Sequence, residues 1–354
     1  MKRILQVIDT LEVGGAENVF VDNIIRFQNE FNYHVLVLRN VSKNIINQRK
    51  ISQINQIEYL DRRSKFSLLT AYILHLCCKE YQIIHIHLRH TFRYVGWVKL
   101  LFRGNYNLIL HDHTGNIDKT FESLPFLESF IIKPKYYIGV SSKLVDWATI
   151  KWKIKIENSG LLINLPPVDF SKNDNEKIEK NKRIIQVGNI KPIKNQIFAA
   201  QLARAIGLEI DFYGNIQDQR YFQSLMIENN KSKLVNIHSG VYIKKKIIQP
   251  YKMALCTSIS ESGPMVLIEY LIAGVPFLAY KTGEISDSIF EFFPDFFLTN
   301  WCFNEWLERF SEIENVNLNS EENLRKIDLL MIKYFDSDTY RLKLLDIYNK
   351  LSQP

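Results

Sequence analysis

A chain of 354 residues is longer than the roughly 250–300 at which one hydrophobic core stops growing, so two domains are expected. With 46% hydrophobic and 23% charged residues it has the composition of an ordinary globular protein, and no run reaches the roughly 18–20 apolar residues of a membrane span. The net charge of +7 is confined to the first half: residues 1–170 hold 22 Lys and Arg against 15 Asp and Glu, the remainder 23 against 23. A basic half suits nucleic acid, anionic lipid or an anionic substrate, and equally a solubilising surface. The longest apolar stretches, such as 126–132, are short and interrupted by charge. Cys77, Cys78, Cys256 and Cys302 have neither metal-ligand nor disulfide-framework spacing, so a cytoplasmic chain with free thiols is expected.

The chain opens with positive charge, but Asp9 and Glu12 break any signal-peptide core, and residues 4–8 read as a buried strand. Gly14-Gly15 follows as a tight turn that would use positive φ, then a helix over 16–27. Further strands are expected at 34–38, 83–88, where Ile alternates with His, 108–110 and 136–140. Strands alternating with helical patterns imply a parallel sheet covered on both faces, whose ligands bind beyond the carboxyl ends of the strands. Gly14-Gly15, His87, His111–Gly115 and Ser141 all fall at such ends. Residues 166–182, with Pro166-Pro167 and a polar, aperiodic run, read as a linker between a domain at 1–165 and another at 183–335. The second series has strands at 183–187, 209–213, 235–238, 254–257 and 276–279, a helix at 196–205, and a helical end over 324–351, of which 336–354 is set apart as a closing helix. Two α/β domains in succession suggest a ligand cleft between them.

Glu261 and Glu269 flank the start of a helix at 265–273, with Pro264 in its first turn, where the missing N–H is harmless. The N–H groups of Gly263, Met265 and Val266 would face outward and suit a phosphate. Two carboxylates around such an anion site repel it unless each accepts hydrogen bonds from hydroxyls flanking a diphosphate, which is the layout of a nucleotide sugar. The competing reading makes Glu261 a helix cap and Glu269 a solvated helix residue.

The string from Ser258 through Glu261, Glu269 and Gly274 to Pro276 closely resembles the paired-glutamate signature of the GT4-type (group 1) glycosyltransferases of GT-B fold, with its following A-x-G-x-P turn. The loop of Gly14-Gly15-Ala16-Glu17, the loop from Gly188 to Lys194-Asn195, Gly283-Glu284 and the closing helices resemble further family motifs in order. The resemblance spans nearly the whole chain. It implies two Rossmann-like domains with parallel sheets facing across a cleft, the second binding the nucleotide sugar, the first the acceptor, and the closing helix packing back on the first. It implies that Glu269 binds the donor ribose, that Glu261 contacts the transferred sugar, and that the backbone of Gly263, Pro264, Met265 and Val266 supports sugar and diphosphate. Lys194 would neutralise the diphosphate, with Gly15, Gly188, Asn189 and Lys191 also on the donor side. The family usually has arginine where Asn189 stands, so half of the diphosphate clamp is missing; Lys191 lies in the same loop. His113, following the strand at 108–110, would lie near the transferred sugar, with His111 next in line; His111, His87 and Ser141 are the acceptor-side candidates.

His85 and His87 share one strand face, and His111 and His113 another. Because the pairs lie on different strands and carboxylate support is limited to Asp112, no metal is expected, and no cofactor beyond the donor itself. Asp336-Ser337-Asp338 mimics a D-x-D metal motif but precedes a helix and reads as a cap. The third glycine of the dinucleotide fingerprint and the Gly-Lys-Ser/Thr of a P-loop are both missing. The expectation is therefore a retaining, metal-independent hexosyltransferase serving cell-surface polysaccharide or glycoconjugate synthesis. Its partners would be a nucleotide sugar and a glycan or lipid-linked acceptor, not nucleic acid. It would be cytoplasmic, with the segment 89–103 (Phe92, Tyr94, Trp97, Phe102) resting on anionic lipid as a peripheral contact. The rivals are a nucleotide-sugar epimerase or hydrolase of the same fold, and a non-catalytic sugar-nucleotide-binding subunit.

Overall fold

The structure, a computed structural model, describes residues 3–12, 14–40, 48–64, 66–115, 132–170 and 179–352. Most of the apolar stretch 126–132 and residues 171–178 of the expected linker lie outside them. The chain forms two compact units, Met1–Leu165 with Asp336–Pro354, and Pro166–Phe335.

The first unit is built on β1 (Arg3–Ile8), β2 (Asn32–Val37), β3 (Ile57–Tyr59), β4 (Ile83–His87), β5 (Asn107–Asp112), β6 (Tyr136–Gly139) and β7 (Ser159–Leu161). They lie in the order β3-β2-β1-β4-β5-β6-β7, every pairing parallel. The second unit holds β8 (Ile184–Val187), β9 (Ile210–Tyr213), β10 (Val235–His238), β11 (Met253–Cys256), β12 (Phe277–Tyr280) and β13 (Phe297–Leu298). Their order is β10-β9-β8-β11-β12-β13, again all parallel. Each sheet starts centrally, winds outward, then returns to the other side of its first strand. This is the doubly wound order, and its ligand crevice lies where the winding reverses: between β1 and β4, and between β8 and β11.

Several local expectations shift. Gly14 is the N-cap of the helix Gly15–Phe27 with φ −151°, and neither it nor Gly15 is among the glycines with positive φ. A Cβ at Gly14 would lie 2.1 Å from Glu17 Oε2, the far end of a flexible side chain that can turn aside. Leu88 does not extend β4; it turns to φ 73° ahead of the helix Arg89–Leu101, a conformation that costs a non-glycine residue about 1–3 kcal/mol. The helical end is broken at Phe335–Asp336 into Glu321–Tyr334 and Ser337–Ser352. Asp336 does cap, its Oδ2 accepting the Thr339 N–H (2.8 Å) and hydroxyl (2.7 Å). Within 89–103, Phe92 and Tyr94 belong to the core and only Trp97 among the ring residues singled out is well exposed.

The last helix packs on the first sheet with Tyr340, Leu344, Ile347, Tyr348 and Leu351 buried, a 3.6-residue stripe. Tyr340 stacks on Phe27 with centroids 5.6 Å apart and accepts from Asn23 Nδ2 (2.8 Å). Tyr348 reaches His85 Nδ1 (2.8 Å), Gln6 Nε2 (3.2 Å) and the Tyr33 hydroxyl (3.2 Å). No helix among the described residues is long and apolar enough to cross a membrane.

Candidate functional site

In the second unit the residues after β8 and those after β11 meet at the winding reversal. β8 ends at Gly188, whose neighbour Gly214 must be a glycine, because a Cβ there would lie 2.3 Å from the Gly188 carbonyl oxygen. A short 3-10 turn, Pro192–Lys194, follows, and Asn195 takes a left-handed conformation (φ 50°) before the helix Gln196–Ile206. Asparagine tolerates that region better than most residues. The turn is tied down on all sides. Gln186 Nε2 donates to the Lys194 carbonyl (3.0 Å), the Thr257 hydroxyl lies 3.0 Å from the Asn195 carbonyl, and Ile259 N–H donates to the Ile193 carbonyl (2.8 Å). The result fixes the Lys194 side chain against Glu261.

Lys194 and Glu261 form an ion pair, with 21% and 14% of their side chains exposed. Burial opposes the charge of Lys194, but the facing Glu261 carboxylate outweighs it and holds the lysine above its ordinary value. Glu261 is itself clasped by the loop after β12. Its N–H donates to Thr282 Oγ1 (3.2 Å), and Glu284 N–H donates to the Ser262 carbonyl (2.9 Å). Gly283 (φ 86°) makes this approach possible, since a Cβ would sit 2.8 Å from the Glu261 carbonyl oxygen. Thr282 and Gly283 are thus site residues in the supporting sense; only the Gly283-Glu284 dipeptide hints at them in the sequence.

The helix after Glu261 runs Val266–Ile272, with Met265 as N-cap, so Pro264 stands just outside it rather than in its first turn. The Pro264 carbonyl still accepts the Leu267 N–H (3.1 Å), the tighter bond of a helix start. At seven residues the helix has a small macrodipole, and attraction for an anion would come from the local N–H groups of its first turn. Glu269 is half-buried on this helix, next to buried Tyr270, whose hydroxyl accepts the Val187 N–H (2.9 Å) and so ties the helix to β8. Asn189 turns its Oδ1 to the Asn215 N–H (3.0 Å) and its carbonyl to Gln196 Nε2 (3.0 Å); it braces the strand ends. Lys191 opens the 3-10 turn, its carbonyl accepting the Lys194 N–H (3.0 Å).

In the first unit, β4 and β5 bring four imidazoles onto one sheet face. His87 is paired in register with His111, and the ring centroids of His85–His87, His87–His111 and His111–His113 are 4.8, 4.9 and 4.4 Å apart. Burial pushes His85 down to about 3 and His113 to about 4, and drives His87 and His111 well below the ordinary histidine value. All four are therefore neutral at pH 7. Beside them Asp112 holds the loop after β5: it accepts from Arg89 Nε (2.5 Å), the Tyr137 hydroxyl (2.7 Å) and the Thr114 hydroxyl (2.7 Å). Arg89 lies over Trp147, 4.0 Å from the ring centroid. Ser141 is buried and accepts the Leu144 N–H as the N-cap of Ser142–Ile150, so its hydroxyl serves the helix. Gly15 is exposed at the start of its helix.

Two doubly wound parallel sheets in succession are the arrangement of the GT-B fold. Residues 168–324, within the second unit, match the family described as glycosyl transferases group 1. The chain is 24% identical over 290 residues to the capsular polysaccharide biosynthesis glycosyltransferase CapH of Staphylococcus aureus, covering 76% of this chain and 78% of CapH. Among solved structures it is similar to Anabaena HepE in complex with UDP and glucose, with a TM-score of 0.76 at 14% identity, covering 99% of this chain and 100% of that one. A glycosyltransferase from Rickettsia africae gives 0.74 at 14% identity, covering 99% and 98%.

Proposed function

We propose that the chain is a retaining glycosyltransferase of the GT4 type that moves a sugar from a nucleotide sugar to a lipid-linked or glycan acceptor in surface-polysaccharide assembly, at the cytoplasmic face of a membrane. The observation that carries this reading is the Lys194–Glu261 pair at the reversal between β8 and β11. In transfer the bond from the sugar's anomeric carbon to the diphosphate oxygen breaks, a bond from the acceptor hydroxyl oxygen to that carbon forms, and the hydroxyl proton passes to the leaving diphosphate oxygen. Negative charge grows on the leaving oxygen, and a fixed ammonium there lowers the barrier without a metal. Lys194 takes that role, Glu261 the transferred sugar, Glu269 the ribose, and the backbone of Gly263–Val266 the sugar and diphosphate; His113 is assigned to the transferred sugar. The UDP-glucose complex of HepE supports UDP-glucose as the first donor to test, and the likeness to CapH supports a polysaccharide product.

The test is product analysis with radiolabelled UDP-glucose and membrane lipid extracts. Label moving into a lipid or polysaccharide fraction, with the donor's anomeric configuration kept, is the expected result. Release of free or epimerised sugar alone would sink transfer. A second reading, a sugar-nucleotide-binding subunit, draws on Asn189, whose side chain braces Asn215 where the family has an arginine; donor binding without turnover on any acceptor would favour it.

The membrane contact has a physical basis in the first unit. The helix Leu68–Lys79 buries Ala71, Leu74, His75 and Cys78, yet its other stripe, Leu69, Tyr72, Ile73 and Leu76, is exposed. Tyr72 meets Phe102, just past Arg89–Leu101, with centroids 5.5 Å apart, and that helix exposes Trp97, Leu100 and Leu101. Phe66 (89% exposed), Leu69 (70%) and Leu100 (63%) are among the most exposed of these apolar side chains, and exposed Arg93 and Arg103 lie on or beside the second helix. A large apolar patch with cations beside it suits an anionic bilayer surface. In flotation with phosphatidylglycerol vesicles, the double variant Leu69→Gln, Ile73→Gln is expected to bind about tenfold more weakly, since two partly inserted side chains forfeit at least about 1.4 kcal/mol. Equal binding to neutral and anionic vesicles would remove the electrostatic part.

A further inference from the structure

We propose that His85, His87 and His111 form a binding site for one divalent transition-metal ion of the zinc class inside the first unit. The sequence argues against a metal because the histidine pairs sit on different strands. In the sheet those strands are neighbours, and the parallel register sets His87 beside His111. One ligand nitrogen from each of the three residues can be chosen so that all lie within 4.8 Å of one another. Two histidines at i and i+2 on a strand face, with a third on the adjoining strand, gather three imidazoles side by side, and one zinc at about 2.0–2.1 Å from each nitrogen would draw them closer together. Three imidazoles with an open fourth position are an established zinc ligand set.

The hydrogen bonds support this arrangement. A metal-bound histidine needs an acceptor for its other ring N–H. His85 Nδ1 lies 2.8 Å from the Tyr348 hydroxyl, and His87 Nε2 lies 3.2 Å from Gln6 Oε1. One proton assignment fits His85 and His87, with Gln6 Nε2 also standing 3.4 Å from His85 Nδ1, while His111 has no outer acceptor. Both of those nitrogens carry hydrogen and donate outward, and Gln6 Nε2 donates to Tyr348, which donates to Tyr33. The opposite nitrogens are then lone pairs. His85 Nε2 and both ring nitrogens of His111 are buried without any hydrogen-bond partner, and His87 Nδ1 meets only His113 Nε2 at 3.2 Å. Buried polar atoms left this way are rare, because each forfeits its interaction with water. A small cavity of about 10 Å³ adjoins them, lined by the three histidines with Gln6, Tyr348 and Phe20. That is the room of one water or one ion. The imidazoles are neutral, the form that ligates, and imidazole sets favour zinc, copper, nickel and iron over magnesium or calcium. Half-buried His113 follows β5 and touches His87.

The experiment uses the full chain, freed of any affinity tag and stripped with EDTA, then given zinc or cobalt alone. Elemental analysis should find one zinc per chain, zinc should raise the melting temperature, and cobalt should give the intense visible bands of a tetrahedral site. His85→Ala and His111→Gln should abolish all three responses whatever their melting temperature in EDTA, whereas His238→Ala in the second unit should change none. Tyr348→Phe should keep the stoichiometry but weaken zinc about 10–100-fold, as loss of an outer partner does. The proposal is overturned if the stripped parent takes up neither ion, if cobalt shows only weak octahedral bands, or if the His85 and His111 variants bind zinc as the parent does. The cobalt spectrum of the parent decides the matter even where a variant fails to fold.

Discussion

Lys194→Ala is expected to lower kcat for sugar transfer by about 10²–10³-fold, the usual effect of removing one preorganised group that stabilises developing negative charge. The argument begins with the chain path. Lys194 closes a 3-10 turn held by Gln186, Thr257 and Ile259, so its position is set before any donor arrives. Glu261 holds its ammonium, and that pairing keeps the lysine charged against the desolvation it suffers. A diphosphate arriving beside it would meet a cation already in place. The charge on the leaving oxygen grows during the reaction, so the loss should fall mainly on kcat and less on KM. Lys194→Ala also strands Glu261, and some stability goes with it; Glu261→Gln tells the two apart. It removes the same ion pair and leaves the ammonium, so its melting temperature should fall in the same way while donor diphosphate binding is retained. If Lys194→Ala changes only the melting temperature and turnover per folded molecule is unaltered, the assignment of Lys194 to the diphosphate is wrong.

The parallel architecture is legible because its inner strands carry dense apolar or alternating runs, as in residues 4–8, 83–87 and 184–187. The edges are not. β3 and β7 are three residues long and β13 two, too short for a period to show. Local turns fail for a different reason: the reading of Gly14 rests on the commonest use of glycine, positive φ, whereas the structure holds it in extended backbone as a helix N-cap. Helix starts move by a residue or two, which is why Pro264 falls outside the helix it precedes. The histidine cluster is half legible. That His85 and His87 share a face follows from the strand period. That Gln6 and Tyr348, some 342 positions apart, complete their hydrogen bonds does not follow from any local pattern. The same holds for Ser141, whose position at a strand end suggests acceptor contact but whose hydroxyl is engaged as a helix cap.

Asp9→Asn should destabilise the first unit by about 3–5 kcal/mol, the penalty for leaving a buried ion without its partner. Asp9 ends β1 at the reversal of the first sheet and accepts from Arg62 (2.5 Å) and Arg39 (2.6 Å), with His90 at 3.4 Å. Arg62 is the critical member: its side chain is 2% exposed and its guanidinium lies 4.3 Å from the Tyr94 centroid, so it cannot turn to water. For a unit of this size the melting temperature should fall by about 2–4 °C per kcal/mol, or roughly 6–20 °C in all. Combining Asp9→Asn with Arg62→Met should recover much of that loss, because the stranded cation goes too. The pH dependence gives an independent check. Burial opposes ionisation of Asp9, but the hydrogen bonds from His90 and Arg39 and the charges of Arg62 and Arg39 win, and its carboxyl is held down at about 2. Since that lies below the ordinary 3.8, the ionised form favours folding. Its contribution of about 2.4 kcal/mol is complete above pH 3.8 and is lost as the pH falls through 2. Stability lost through the buried histidines begins nearer pH 6.5 and is common to both proteins, so it cancels in the difference between them. That difference should be flat from pH 7 to about 4 and should shrink below it. A difference that stays constant down to pH 2 would mean that Asp9 acts through packing alone and that the ion pairs with Arg39 and Arg62 contribute nothing to the folded state.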